Sequence, residues 1–384
     1  INSTTHLQEF TVSELPLQNS IAHTQNTNEP VENNNKEENT DGDETYRTTS
    51  GETVTVNGAG SGFTLPLGTS TTITFRATIS STPSSCSISN QASVSGSNFT
   101  TVLSDDPGVA GSSNATITTL SISAITASSI SSTTICSGSS INLTATASNT
   151  VKWYTASSGG SSVATGSTYS PSNILANTSY YAVNSTGSCE SARTLVGSVT
   201  VNSTGTWNGT TAGANNFNTT SNWTGCPPSA NISLTIPSGT TNAPANTGAV
   251  SITSLSIASG VTLANNGILN VSNALTNNGT VSGTGSITLN GGSSQTISGV
   301  GSISTLVLNN STGATITSGS NLQSITKLLT LTAGTLTTNG NLTLKSTSIN
   351  NTAIVGPITG AISGNVTVER YIPAGNRAFR FLAP

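Results

Sequence analysis

From residue 53 to the C-terminus the chain alternates apolar and polar residues, with Gly and Asn between the runs, and no stretch repeats its apolar residues at helical spacing. Segments 71–79 (TTITFRATI), 141–147 (INLTATA) and 366–372 (VTVERYI) read as strands with one buried face. The pattern predicts an all-β chain. In its last third the strands shorten and become near-repeats: 254–263 (SLSIASGVTL), 267–271 (GILNV), 279–281 (GTV), 285–289 (GSITL), 301–308 (GSISTLVL), 328–336 (LLTLTAGTL) and 340–344 (GNLTL). One coil of such strands cannot bury its Leu, Val and Ile face alone, whereas stacked coils share a continuous core. The reading is a parallel β-solenoid with inward aliphatics in columns and Asn ladders at its corners. A β-sandwich of several hairpins would produce the same alternation, and over residues 240–365 the residues leave both architectures open.

Composition changes the picture at the N-terminus. Charged residues make up 6% of the 384 residues, against roughly 25% in an ordinary soluble domain. Residues 1–52 hold most of the 14 acidic residues and only Lys36 and Arg47 of the 10 basic ones. Acidic, Asn-rich and poor in large apolar residues, this stretch reads as a flexible linker that cannot offset its ordering entropy. The few Lys and Arg beyond it are scattered rather than clustered, which argues against nucleic-acid binding. No apolar run approaches the roughly 20 residues of a membrane span, so membrane insertion is not expected. Methionine is absent and residue 1 is Ile, so the sequence reads as a mature or excised piece.

Three β units follow the linker: 53–121, 122–202 and 203–384. The first contains SISNQASVSGSNFTTVLSDDP at 87–107. It resembles the repeated β-sandwich modules of giant Bacteroidetes surface proteins, which end in an SNQA-V-SG-SNF…TDDP pattern. The second runs ICSGS (135–139), VKWYT (151–155), YSP (169–171), TSYYAV (178–183) and CESARTLV (189–196). It resembles, nearly end to end, the immunoglobulin-like module common in proteins carried by the type IX secretion system. Strand-length segments, a Trp in the middle strand and flanking cysteines agree with a sandwich. Tyr180 and Tyr181 stand too far ahead of Cys189 for the antibody pattern, so that pattern's disulfide position is not implied. The third unit opens with TWNG (206–209), Phe217, NWT (222–224), PP (227–228) and ISLTIP (232–237), similar to the WNG…WN…NW…P…V-IP opening of Bacteroidetes surface repeats, with Phe217 where a second Trp is usual. The tail from Val366 to Leu382 resembles a VERYIP…R-AFRFL junction that leads into a further domain, so the fragment reads as cut at or before that domain.

The candidate chemistry is sparse. Both histidines, His6 and His23, fall in the linker, which leaves no imidazole for a Ser-His-Asp or Cys-His arrangement in the folded part. No Asp or Glu occurs between Glu190 and Glu369, so a solenoid there has neither the carboxylate ligands of a calcium-dependent lyase nor the paired carboxylates of a glycosidase. The expectation is a chain that is not an enzyme and carries no cofactor. Asp105 and Asp106 are the one acidic pair outside the linker. They could contribute to a calcium site, but Asp-Asp-Pro-Gly is better read as a plain turn. The four cysteines, Cys86, Cys136, Cys189 and Cys226, match no zinc spacing and allow three pairings. Cys136 with Cys189, inside the immunoglobulin-like unit, is the preferred pair, with Cys86 and Cys226 free or paired elsewhere. Trp153, Trp207 and Trp223 read as core or boundary residues rather than sugar-stacking platforms.

The leading functional expectation is a structural or adhesive segment of a large protein on the outer surface of a bacterial cell. The resemblance implies export by the type IX machinery, engaged through regions outside this sequence, and contact with surface glycans or other surface proteins. Two alternatives stay open: the accessory scaffold or glycan-binding region of a secreted polysaccharide-degrading enzyme, and the subunit of a self-assembling extracellular filament.

Overall fold

The computed structural model describes residues 6–13, 21–26, 53–56, 70–77, 85–96, 99–128, 133–209 and 215–373. The remaining parts of the linker, at 1–5, 14–20 and 27–52, and the tail motif from 374 onward lie outside the described residues. Regular structure among the described residues is β-strand, apart from a 3-10 turn at Thr220–Asn222. The chain divides into two compact units. The first comprises Ile1–Thr133, Ile141–Ser170 and Thr178–Ser198, the second Thr134–Ser140, Pro171–Asn177 and Val199–Pro384.

In the first unit the strand Ser87–Gly96 organises an antiparallel sheet, pairing with Ile21–Asn26, Phe99–Leu103 and Thr116–Thr119, while Thr53–Val56 pairs with Ile21–Asn26. A second ladder aligns His6–Ser13 with Ser70–Ala77 along its whole length. The linker reading is therefore corrected at two places, since the strands carrying His6 and His23 are sheet strands. Two short alternating stretches, LQEFTV and IAHT, are diluted by the acidic residues around them. Pairing with distant strands satisfies their backbone groups, and composition averaged over 52 residues does not register that.

The same unit holds most of an immunoglobulin-like sandwich. One sheet joins Thr126–Ser128, Leu143–Thr146 and Thr168–Tyr169. The other runs Ala164–Thr165, Thr150–Tyr154, Thr178–Thr186, Thr194–Asn202, with the short strand Cys189–Glu190 beside Thr178–Thr186. Trp153 is fully buried between the sheets, donates from Nε1 to the Gly166 carbonyl at 2.8 Å, and meets the Tyr169 ring at 5.9 Å. Tyr169 in turn packs edge-on against buried Tyr180.

The second unit is a parallel β-solenoid of about six turns. This decides between the two architectures left open for 240–365. Each of the first three turns contributes one strand to each of three faces. The first face stacks Ser233–Ile236, Ser254–Ile257, Ala274–Asn277, Gln295–Ser298, Ala314–Ile316, Thr335–Thr337 and Ala361–Ser363. The second begins with Ala245–Asn246, Thr262–Asn265 and Thr280–Ser282, and the third with Ala249–Ile252, Ile268–Val271 and Ser286–Leu289. The long strands Val300–Asn309 and Leu322–Ala333 bend across both of these faces and join them into one sheet.

Registers between turns place like residues over like. Leu234, Leu255, Leu275, Ile297 and Ile316 form one inward column, and Leu269, Ile287, Leu306 and Leu329 another. All are essentially without solvent exposure. Each such side chain contributes about 1.5–3 kcal/mol of transfer free energy, a gain available only when the next turn covers it.

The corners are held by buried amides rather than by one continuous Asn ladder. Asn246 Nδ2 donates to Asn265 Oδ1 at 2.8 Å, Asn277 Nδ2 to Gln323 Oε1 at 3.1 Å, and Asn310 Nδ2 to Gln295 Oε1 at 2.9 Å. The glutamines also donate to backbone carbonyls of other turns: Gln295 to Val271 and Gln323 to Ser298. Such groups are costly to bury unpaired, so a displaced turn would leave several donors and acceptors unsatisfied at once. Beside one corner, Gly248, Gly267 and Gly285 stack so closely that a Cβ on Gly267 would run into the Gly248 backbone.

The solenoid's opening turn is capped by three buried rings. Trp207 lies 5.3 Å from Trp223 and 6.5 Å from Phe217, with Phe217 and Trp223 edge to face at 5.0 Å. The indoles donate to the Asn242 and Phe217 carbonyls at 2.8 and 2.7 Å. The strand Thr204–Trp207 pairs parallel with Ser233–Ile236 and antiparallel with Trp223–Gly225, so the caps close the first sheet's edge as well as its core.

Replacing Gly267 by Ala should destabilise the solenoid by about 1–3 kcal/mol through overpacking against the preceding turn. Gly260→Ala, at φ +77° with open space around its Cβ, should cost only about 1–2 kcal/mol of left-handed backbone strain. Urea denaturation of the two variants checks the first figure against the second, and a Gly267→Ala variant as stable as the parent would contradict the stacked geometry.

Candidate functional site

A dense polar constellation among the described residues of the first unit lies on the immunoglobulin-like sandwich. Lys152 and Tyr154 are two residues apart on the strand Thr150–Tyr154, so strand geometry sends both side chains to one side. The strand Cys189–Glu190 brings Glu190 to them. Its Oε1 lies 2.9 Å from Lys152 Nζ, and the Tyr154 hydroxyl is 2.8 Å from each carboxylate oxygen. The Arg193 guanidinium sits 3.5 Å from the Tyr154 ring centroid and donates to the Ala156 carbonyl at 2.7 Å.

Partial burial pushes the Glu190 carboxyl upward, but hydrogen bonds from Lys152 and Tyr154 and the nearby positive charges outweigh it and hold the group below the ordinary glutamate range. Burial, and then the hydrogen bond to Glu190, raises the Tyr154 hydroxyl. The result is a fixed carboxylate whose oxygens are occupied, flanked by a phenol that stays protonated. Such a group suits a clamp between strands and is poorly suited to moving protons near neutral pH. The cluster was not singled out from the sequence. The Lys-x-Tyr spacing was visible there, but the hairpin register that delivers Glu190 was not. At the far end of the solenoid, Lys345 Nζ reaches Glu369 Oε1 at 2.6 Å, and the Ser346 amide donates to Oε2.

Asp105 and Asp106 serve a turn. Asp105 Oδ1 accepts from the Asn114 amide and Asp106 Oδ1 from the Gly108 amide, both at 2.9 Å, while the Asp106 amide donates to the Asn114 carbonyl. Both carboxylates thus have backbone partners within their own loop. Among the described residues no group of three or more His, Cys, Asp or Glu is placed to hold a metal ion, and no helix is long and apolar enough to cross a membrane.

The cysteine pairing differs from the preferred one. Cys86 is bonded to Cys189 and Cys136 to Cys226, with Cα separations of 5.1 and 5.6 Å. The Cys136–Cys189 bridge is not formed. Within the first unit, Cys86 immediately precedes Ser87–Gly96 and meets the Cys189–Glu190 hairpin. Within the second, Cys136 leads into a stretch anchored by Ser137 N to Asn202 O and Gly138 N to Ile174 O, and so comes to the solenoid cap, where Cys226 is buried. Proximity in three dimensions decided the pairing, and membership of one sequence module did not.

All three tryptophans are packing residues, as expected, with exposures of 0%, 0% and 5% for Trp153, Trp207 and Trp223. Asn184, also buried, accepts from the Asn149 amide and donates to Ser148 Oγ and the Ser123 carbonyl, tying loops around the sandwich. The chain therefore concentrates its ordered side-chain chemistry on clamps, bridges and caps.

A family described as Ig-like domain, CHU_C associated, matches residues 123–203. No curated protein matches the chain.

Peptide mapping of the non-reduced protein should recover Cys86 linked to Cys189 and Cys136 linked to Cys226, and recovery of a Cys136–Cys189 peptide would refute the arrangement. A lowered folded-state pKa at Glu190 means that its stabilisation is present above the unfolded glutamate value and lost as pH falls through the folded one. Glu190→Gln should therefore be less stable than the parent at neutral pH, with the two converging as pH drops below the ordinary glutamate range. Thermal melts across that range check it.

Proposed function

We propose that this chain is a non-catalytic structural and adhesive segment of a bacterial cell-surface protein, displayed outside the cell after export by the type IX secretion system. The observation that carries the reading is the pairing of an immunoglobulin-like unit with a capped parallel solenoid whose ordered side chains serve packing. The solenoid stretch between Glu190 and Glu369 has no carboxylate or imidazole with which to build a hydrolytic site. Burial of all three tryptophans speaks against the scaffold alternative in its usual form, sugar stacking on exposed indoles.

Mechanically, such a segment supplies reach and stiffness. Six parallel turns at about 4.8 Å each give a rod of roughly 30 Å, held by columns of aliphatics and buried amides. A long polar surface with repeated features favours many weak contacts over one deep pocket, and linked weak contacts raise avidity by mass action. Partners are surface glycans or other surface proteins, and the type IX machinery is engaged through other parts of the protein.

Deleting the codons for residues 203–373 in the displaying bacterium should reduce adhesion to solid substrata while leaving the remainder of the protein on the surface, as read by antibody to the immunoglobulin-like unit. Unchanged adhesion with verified display would reject the adhesive role.

A further inference from the structure

The outward side of the first solenoid face carries two neighbouring columns of small, mostly hydroxylated residues. Its strands alternate buried aliphatics with outward residues, and the outward residues on all nine strands of this sheet are Thr, Ser or Ala, apart from the glycine that ends Trp223–Gly225. Strand pairing puts them in rows. One unbroken column runs Thr224, Thr206, Thr235, Ser256, Thr276 and Ser298 across six neighbouring strands. A second column, two residues along the strands, starts at Thr204, Ser233 and Ser254 and continues to Ser363, with Ala274 its one member lacking a hydroxyl. Within the first column Thr276 Oγ1 and Ser298 Oγ are 3.0 Å apart.

The third face is built on the same turns but is not like this. Its outward positions include Ile268 and Ile354, which are 49% and 60% exposed, together with Asn270 and Val307. The second face carries exposed Val300 and Leu322. The second face also carries one hydroxyl column, Thr262, Thr280, Ser302, Ser324, Thr343 and Thr367, but Ser324 and Thr343 within it are buried. Two hydroxyl columns lying side by side are therefore a property of the first face.

Parallel strands repeat about every 4.8 Å across the sheet, and alternate residues repeat about every 6.7 Å along it. The result is a two-dimensional grid of hydroxyls and methyls, backed by the buried amides and stacked glycines. No ionisable group and no aromatic ring stands in the grid. Charge complementarity thus points to an uncharged partner, and the missing rings remove the stacking surface that sugar recognition uses. Pressing hydroxyls against another solute costs their hydration unless each finds a partner. A lattice of water meets that demand at every position, because each hydroxyl can take a lattice water as donor or acceptor while threonine methyls fill the gaps between. The spacing across the strands lies near one oxygen repeat of the prism face of hexagonal ice.

We propose that the first face of the solenoid binds ice, with Thr235, Thr276 and Thr296 near the centre of the contact. This is a function of the folded surface itself and does not depend on the adhesive reading above, since the purified chain suffices to test it.

The full chain is partitioned into a slowly growing ice hemisphere, and ice recrystallisation is followed in parallel. The parent protein should enter the ice and slow recrystallisation. Thr276→Lys, which places a long charged side chain in the middle of the grid, should fall to the level of an ice-inert control protein. Thr288→Lys, at an outward position of the third face, should behave like the parent. Circular dichroism melts confirm that both variants fold. A parent protein excluded from ice, or equal losses in both variants, overturns the proposal. So does Thr276-dependent binding to insoluble uncharged polysaccharide without entry into ice, which would assign the face to glycans.

Discussion

The solenoid depends on the in-register parallel stacking of successive turns. A turn has no core of its own: its Leu, Val and Ile face is covered only when the next turn lies directly over it. Register is therefore set three times at once, by aliphatic columns, by amides such as Asn277 and Gln323 reaching other turns, and by Gly248, Gly267 and Gly285 in backbone contact. A slip of one residue would turn the aliphatics outward and strand the amides. The aromatic cap of Trp207, Phe217 and Trp223 follows from the same requirement, because the first turn has no predecessor to cover it.

The same stacking explains why the outside of the solenoid is regular. Once inward residues are fixed turn upon turn, outward residues inherit the alignment, and a face with only Thr, Ser and Ala at those positions becomes a grid rather than a scatter. The regularity of the surface is thus a consequence of the core. The immunoglobulin-like part is held differently, by Trp153 between two sheets and by the Lys152, Tyr154, Glu190 and Arg193 clamp, so its order is local and does not propagate along a repeat.

Disulfides add constraint where strands alone give little. Cys86–Cys189 joins the start of one sheet strand to a two-residue hairpin strand, and Cys136–Cys226 fastens the segment beside Asn202 to the capped edge of the solenoid. Each closes a loop of many residues, and such cross-links restrict the unfolded chain most.

Much of this was legible from local pattern. Alternation in 254–289 and the Gly and Asn between its strands identified the β class and made a solenoid one of two readings, because strand periodicity is a short-range property of the residues themselves. The Trp-centred, Cys-flanked spacing of 135–196 likewise pointed to the immunoglobulin-like sandwich, and burial of the tryptophans followed from their strand positions. What local pattern could not carry were relations between distant residues. The strands His6–Ser13 and Ile21–Asn26 were hidden by acidic neighbours until their partners at Ser70–Ala77 and Ser87–Gly96 were in place. The choice of Cys86 for Cys189, the approach of Glu190 to Tyr154, and the alignment of Thr235 with Ser256 and Thr276 all depend on register between segments. Register is decided by which surfaces bury one another, and that is settled only when the whole chain packs.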